Sequence, residues 1–192
     1  MVDNDAFDPA ARKADQAWKV GPFVELLNQA FAFFYTPGQV VSLDEKRCKC
    51  KAPGQWFKYN KTKPDKRAYQ FLSLSCPCCG YDYHFLPDAS GEIDDELAAT
   101  KTEAVVLHML ESLFDKGHVI CADNFFMGIP LVLRAAIRNT KMAGTVRKGR
   151  TGIPAVAKET FKDTIQGKAE RGELRGFWTE VEVEDPKTKK YA

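Results

Sequence analysis

A chain of 192 residues that is 44% hydrophobic can bury one sizeable core and reads as a single domain. Its net charge of +2 does not by itself mark a binder of polyanions. Asp3, Asp5 and Asp8 exclude the basic-then-apolar order of a signal peptide, and apolar runs such as Ala30–Tyr35 are too short to span a bilayer, so an intracellular protein is expected.

In chain order, Phe23, Leu26, Leu27, Ala30, Phe31 and Phe34 recur at helical spacing, and Pro37-Gly38 end that helix. A strand over Gln39–Leu43 is expected to finish on Asp44-Glu45. Trp56–Tyr59, Arg67–Ser75 and Tyr81–Leu86 read as further strands, the last two joined as a hairpin by a tight Pro/Cys/Gly turn. Thr102–Phe114 is the clearest helix, with Val106, Leu107, Leu110, Leu113 and Phe114 on one face and Lys116-Gly117 as its stop. A strand over His118–Ala122, a helix over Pro130–Arg138 and a strand over Met142–Val146 follow. Ala155–Ile165 reads as helical and Leu174–Val183 as extended. The order is α/β.

Charge is sorted along the chain. Between Lys46 and Arg67 nine basic residues stand against the single acid Asp65, and Arg134–Arg150 carries six bases and no acid. Asp88–Glu96 carries five acids and no base. Such sorting suits a face that meets polyanions, although solvated loops give the same pattern. Within the first basic segment Trp56, Phe57 and Tyr59 interleave with bases, for stacking on nucleotides or for packing in the core.

The cysteines are clustered as Cys48-Lys49-Cys50 and Cys76-Pro77-Cys78-Cys79, with Cys121 inside an apolar strand. Cys48, Cys50, Cys76 and Cys79 form a four-sulfur zinc site if the two loops meet; the alternative is reduced loop thiols. Cys121 reads as a small buried apolar residue. His84, His108 and His118 read as structural, with His84 a further zinc candidate.

The segment His118–Leu131 carries the strongest functional signal. Val119–Cys121 are apolar, Asp123-Asn124 interrupt the run where a strand would leave its sheet, and Gly128 and Pro130 suit a turn and a first helical turn. A carboxylate held at a strand end by a rigid sheet is well placed to hold a divalent metal.

Asp123-Asn124-Phe125-Phe126-Met127-Gly128-Ile129-Pro130-Leu131 resembles the D-N-[WF]-F-x-[ST]-[IL]-P-L segment of piggyBac-type transposases, with Met127-Gly128 in place of the usual Thr-Ser. Trp18–Phe23 is similar to the W-K-V-R-P-[LI] segment of that family, and Ser42-Leu43-Asp44-Glu45 to its [ST]-[IL]-D-E segment. Tyr59–Pro64 is similar to Y-x-P-x-K-P, and Gly144–Lys148 to G-T-[VI]-R-x. The family's [FY]-K-G-R segment has no counterpart, since the chain reads Arg47-Cys48-Lys49-Cys50-Lys51 there.

The resemblance implies an RNase-H-like mixed sheet flanked by helices, over residues 22–192 with 1–21 as a lead-in. It implies Asp44 and Asp123 as catalytic acids, on neighbouring strands, holding Mg²⁺ or its substitute Mn²⁺. It implies DNA as partner, both transposon ends and target, with a possible homodimer, no membrane and a nuclear location. Lys58, Lys61, Lys63, Arg147 and Lys148 are the expected phosphate contacts. The family has a third catalytic Asp, and Asp163, Glu180 and Asp185 fall in no segment resembling its motif. The expectation is therefore a catalytic domain incomplete at its C-terminal end and inactive alone. The alternative is a non-catalytic DNA- or protein-binding domain derived from a transposase, zinc-stabilised if the cysteines meet.

Overall fold

The computed structural model describes residues 15–51, 56–89, 100–147, 149–150 and 152–153. Lys148, the expected helix over Ala155–Ile165, the expected strand over Leu174–Val183 and the acids Asp163, Glu180 and Asp185 lie outside the described residues.

Helix α1 spans Gly21–Phe34, opened by Pro22 in its first turn. Strands β1 (Val40–Lys49), β2 (Phe57–Tyr59), β3 (Arg67–Ser75) and β4 (Asp82–Pro87) follow. Helix α2 covers Lys101–Leu110 and tightens into a 3-10 turn at Glu111–Leu113; then come β5 (Val119–Ala122), α3 (Ile129–Ile137) and β6 (Lys141–Gly144).

These strands make one six-stranded mixed sheet in the order β2-β3-β1-β5-β6, with β4 also on β3. Strand β3 lies antiparallel to β1 along nearly its whole length, from Ser42 opposite Ser75 to Lys49 opposite Ala68. Its other edge is shared: β2 covers Arg67–Tyr69 and β4 covers Phe71–Ser75. Strands β1, β5 and β6 are parallel, as crossovers through α2 and α3 require. The short β2 falls within the expected strand over Trp56–Tyr59 and makes the Asp123 strand the fifth along the chain.

The core follows from strand alternation. Val41 and Leu43, opposite Ile120 and Ala122 on β5, share a face with Leu72 and Leu74 of β3. Against it pack Val106, Met109, Leu110, Leu113 and Phe114 from the α2 segment, with Leu131 and Ala135 from α3. Leu43, Leu74 and Ile120 have essentially no exposure. Each contributes about 1.5–3 kcal/mol by leaving water.

Two expectations change. Strand β1 does not stop at Asp44; it runs on to Lys49 because β3 continues to pair with it after β5 has ended. The apolar repeat of α1 is not a core stripe either. No residue of α1 is fully buried, and Phe23, Leu26, Phe33 and Phe34 are exposed. This helix contacts the sheet through one side of β4, where the Asn28 side chain donates to the Phe85 carbonyl and accepts from the Phe85 N–H, both at 2.8 Å. Ahead of α1, Ala17 and Trp18 are buried and the Gln16 N–H donates to the Ala89 carbonyl, so residues before position 22 pack into the same unit.

Candidate active site

Strand β5 ends at Ala122, opposite Leu43 of β1. Asp44 and Asp123 are the next residues on these two parallel neighbours. Neighbouring strands run about 4.8 Å apart, so Asp123, leaving the end of β5, stands beside Asp44, which is still within β1 opposite Ser73. Both are exposed. Asp44 accepts the N–H of Glu45 at 2.7 Å, and Asp123 accepts the N–H of Asn124. Each carboxylate is thereby oriented by its own backbone while keeping lone pairs for another partner.

Three layers of contact fix the Asp123 turn. Phe126 and Met127 are buried beneath it, and their N–H groups both donate to the Asp123 carbonyl, at 3.0 and 3.2 Å. Gly144 of β6 lies against it from the side: a Cβ there would stand 2.1 Å from the Ala122 carbonyl oxygen and 3.1 Å from Met127 Cγ. From the outside, Arg147 Nε donates to Asn124 Oδ1 at 2.8 Å, and the Arg150 guanidinium donates to the carbonyls of Asn124 at 3.1 Å and Phe125 at 2.5 Å. Asn124 and Arg150 were not among the expected site residues. The signal for Arg150 lay only in its membership of the basic run after Arg134.

Beyond the end of β5 the ribbon of β1 and β3 carries the basic segment. Burial raises the Glu45 carboxyl above its ordinary range first, with the Asp88 charge adding, Lys63 and Lys58 opposing and Asp44 adding. Glu45 therefore links the acid pair to two of the expected phosphate contacts. The Lys58 ammonium is ion-paired to Asp88, which also accepts from Gln70 at 3.0 Å. Lys61 and Lys63 are exposed in the turn after β2, where Asn60 Oδ1 accepts from the Thr62 N–H at 3.0 Å. Arg47 is structural, donating to Gln70 Oε1 and to the carbonyls of Lys58 and Asp65. Trp56 lies on the sheet, 4.3 Å from the Tyr69 ring and 5.3 Å from Phe71, whereas Tyr59 is exposed.

The second basic run is split by the fold. Arg134 is largely buried and pairs with the buried Glu103 at 3.3 Å, and Arg138 is engaged by Asp115 and Glu111. Arg147 remains exposed beside Asp123.

The cysteine pairs do not meet. Cys48 lies opposite Tyr69 and Cys50 just beyond it, while Cys76 follows Ser75, which is opposite Ser42. At about 3.4 Å per residue, the two pairs sit about 20 Å apart at opposite ends of the same ladder. That geometry removes the four-sulfur zinc site, because an antiparallel pair places the start of one strand beside the end of the other. Among the described residues no group of three His, Cys, Asp or Glu could hold a metal ion. His118 is structural, its Nδ1 2.9 Å from the Gly38 carbonyl oxygen.

Residues 2–176 match the profile of the family described as Transposase IS4. The chain belongs to that family. Its fold is also that of piggyBac transposase: a cryo-EM structure of the piggyBac transposase synaptic complex with hairpin DNA superposes with a TM-score of 0.69. The match has 22% sequence identity and covers 80% of this chain and 32% of the other. The chain thus spans about a third of that relative, and its sheet is of the RNase-H-like type. Among the described residues no helix is long and apolar enough to cross a membrane.

Proposed function

We propose that this chain is part of the catalytic domain of a piggyBac-like DNA transposase, with residues 22–192 in the transposase domain, and that Asp44 and Asp123 are two of its metal-holding carboxylates. The carrying observation is the register: Leu43 opposite Ala122 brings two exposed acids, one residue further on, to the same edge of a parallel pair. Membership of a transposase family supports the reading, as does the fold shared with an enzyme seen in complex with hairpin DNA.

The donor set is hard oxygen, which suits Mg²⁺ or Mn²⁺ rather than a thiolate-seeking metal. It is also short of a full set, so a further ligand is expected from outside the described residues. When bound, the metal would polarise a scissile phosphate and lower the pKa of an attacking hydroxyl. The chain's own residues do the rest. Asp44 and Asp123 fix the position of the cation, and Phe126, Met127 and Gly144 hold the Asp123 turn against the sheet. Arg147, Lys61 and Lys63 hold the DNA phosphates, with Lys148 in the same role. DNA is the partner in this reading, both transposon ends and target, and the nucleus is the place of action.

A titration with Mn²⁺, followed by water-proton relaxation, tests the site without requiring catalysis. Saturable binding is expected, with affinity falling at least tenfold in Asp44→Asn and in Asp123→Asn. Equal binding by both variants would remove the assignment. In a transposase that cleaves DNA, the same substitutions are expected to cost on the order of 10²–10³-fold in rate.

A further inference from the structure

The turn joining β3 to β4 places three cysteines beside a tyrosine, and the transposition site has no use for them. The Cys76 N–H donates to the Tyr81 carbonyl at 2.9 Å, and the Gly80 N–H donates to the Cys76 carbonyl at 2.8 Å. Gly80 takes φ +71°, which closes the turn with no steric cost. Folded this way, the turn closed from Cys76 to Gly80 brings Cys79, three residues on, back beside Cys76. Tyr35, at the end of α1, completes the surround. Its ring stacks on Tyr81 at 4.7 Å and on Tyr83 at 5.8 Å, which sets its hydroxyl near the Cys76 thiol. Cys76 is half-buried, whereas Cys78 and Cys79 are exposed.

We propose that Cys76 and Cys79 form a reversible thiol–disulfide pair, with Cys76 as the attacking thiolate and small-molecule disulfides of the glutathione type as oxidant. Several donors converge on one sulfur, which is the environment that favours a thiolate over a thiol. Accordingly the Cys76 thiol is pulled down to about 6, by the Tyr35 hydroxyl first and then by the N–H groups of Cys79 and Cys78. In the first step the Cys76 thiolate attacks one sulfur of oxidised glutathione, the disulfide bond breaks, and one glutathione thiolate leaves. In the second, Cys79 gives up its proton and attacks the Cys76 sulfur, and the second glutathione thiolate leaves. The two cysteines lose two electrons and their protons, and the glutathione disulfide is reduced to two thiols.

The test is peptide mass spectrometry on the reduced chain after incubation with oxidised glutathione. A Cys76–Cys79 cross-link is expected in the native sequence, and glutathione retained on Cys76 in Cys79→Ser. Independently of any variant, iodoacetamide labelling across roughly pH 5 to 9 should show Cys76 reacting with a midpoint of about 6. Tyr35→Phe should raise that midpoint without altering the labelling of Cys48. A cross-link between Cys78 and Cys79 instead would overturn the pairing. Labelling of Cys76 no faster than that of Cys48 under mildly acidic conditions would overturn the role of Cys76.

Discussion

Leu43 and Ala122 lie opposite each other across the only stretch where β1 and β5 pair, and that register is what brings Asp44 and Asp123 together. A slip of one residue would turn one acid toward the apolar face that holds Val41 and Ile120. The register is therefore fixed by the burial of Val41, Leu43 and Ile120 rather than by the acids. Stability of the core and geometry of the site are consequently separable by mutation.

Gly144→Ala tests the link between β6 and the Asp123 turn. The new methyl would meet the Ala122 carbonyl oxygen at 2.1 Å, and that oxygen belongs to the backbone and cannot rotate away. Strand β6 must move, at a cost of about 1–3 kcal/mol. Urea unfolding should show that loss, and Mn²⁺ affinity should fall with it because the carbonyl that the methyl presses on belongs to Ala122, the residue before Asp123. Gly38→Ala, where nothing lies within 4 Å, is the control expected to leave both unchanged.

Arg134 and Glu103 give a second test. Glu103 is 6% exposed and sits in the first turn of α2, whose N-cap Thr100 accepts the Glu103 N–H at 3.1 Å. Replacing Arg134 by Met removes this cation from beside a buried carboxylate, a change expected to lower stability in chemical denaturation, by up to about 3–5 kcal/mol. Binding of DNA by the folded fraction should be unaltered, because this base is turned inward.

Those two residues also show what the sequence could and could not convey. Among the described residues the strands and helices, the hairpin of Arg67–Ser75 with Tyr81–Leu86 and the position of Asp123 after β5 were legible, because each rests on local period, turn chemistry or capping. What was not legible depends on partners distant in sequence. Arg134 looks like part of a basic run until Glu103, thirty-one positions earlier, is found beside it. Cys48 and Cys76 look like one ligand set until the antiparallel ladder separates them. The apolar stripe of α1 looks like core until the sheet offers it only β4. Glu45 stood in the Ser-Leu-Asp-Glu segment, yet the charges that act on it include Lys58 of β2 and Lys63 of the turn after it.

His84 makes stability depend on pH. Burial first, and the nearby His108 second, lower its basicity below the ordinary value of 6.5, with Glu25 opposing. The unfolded chain then binds more protons than the folded one between the two values, so this contribution is present above about 6.5 and is lost as pH falls through the folded value. The urea midpoint should decline on acidification over that range. His84→Gln should flatten the decline; an unchanged pH dependence would assign it to other groups.

The basic segment should divide by pairing rather than by sequence. Lys61 and Lys63 are exposed, while Lys58 is ion-paired to Asp88, so their charges are not equally available to phosphates. Each phosphate contact releases counterions and adds about 0.9 to the slope of log affinity against log salt on duplex DNA. Lys61→Ala and Lys63→Ala should therefore each lower that slope by about 1. Lys58→Ala should lower it by less, because the Lys58 ammonium is already engaged by Asp88 rather than by a phosphate. Asp88→Asn separates the two effects: it releases the Lys58 ammonium and should raise the slope. Fluorescence anisotropy with a labelled duplex, repeated over a range of salt concentrations, measures all four. A slope unaffected by Lys61→Ala and Lys63→Ala would take the DNA path away from the β2–β3 turn and leave Arg147, beside Asp123, as the base to test next.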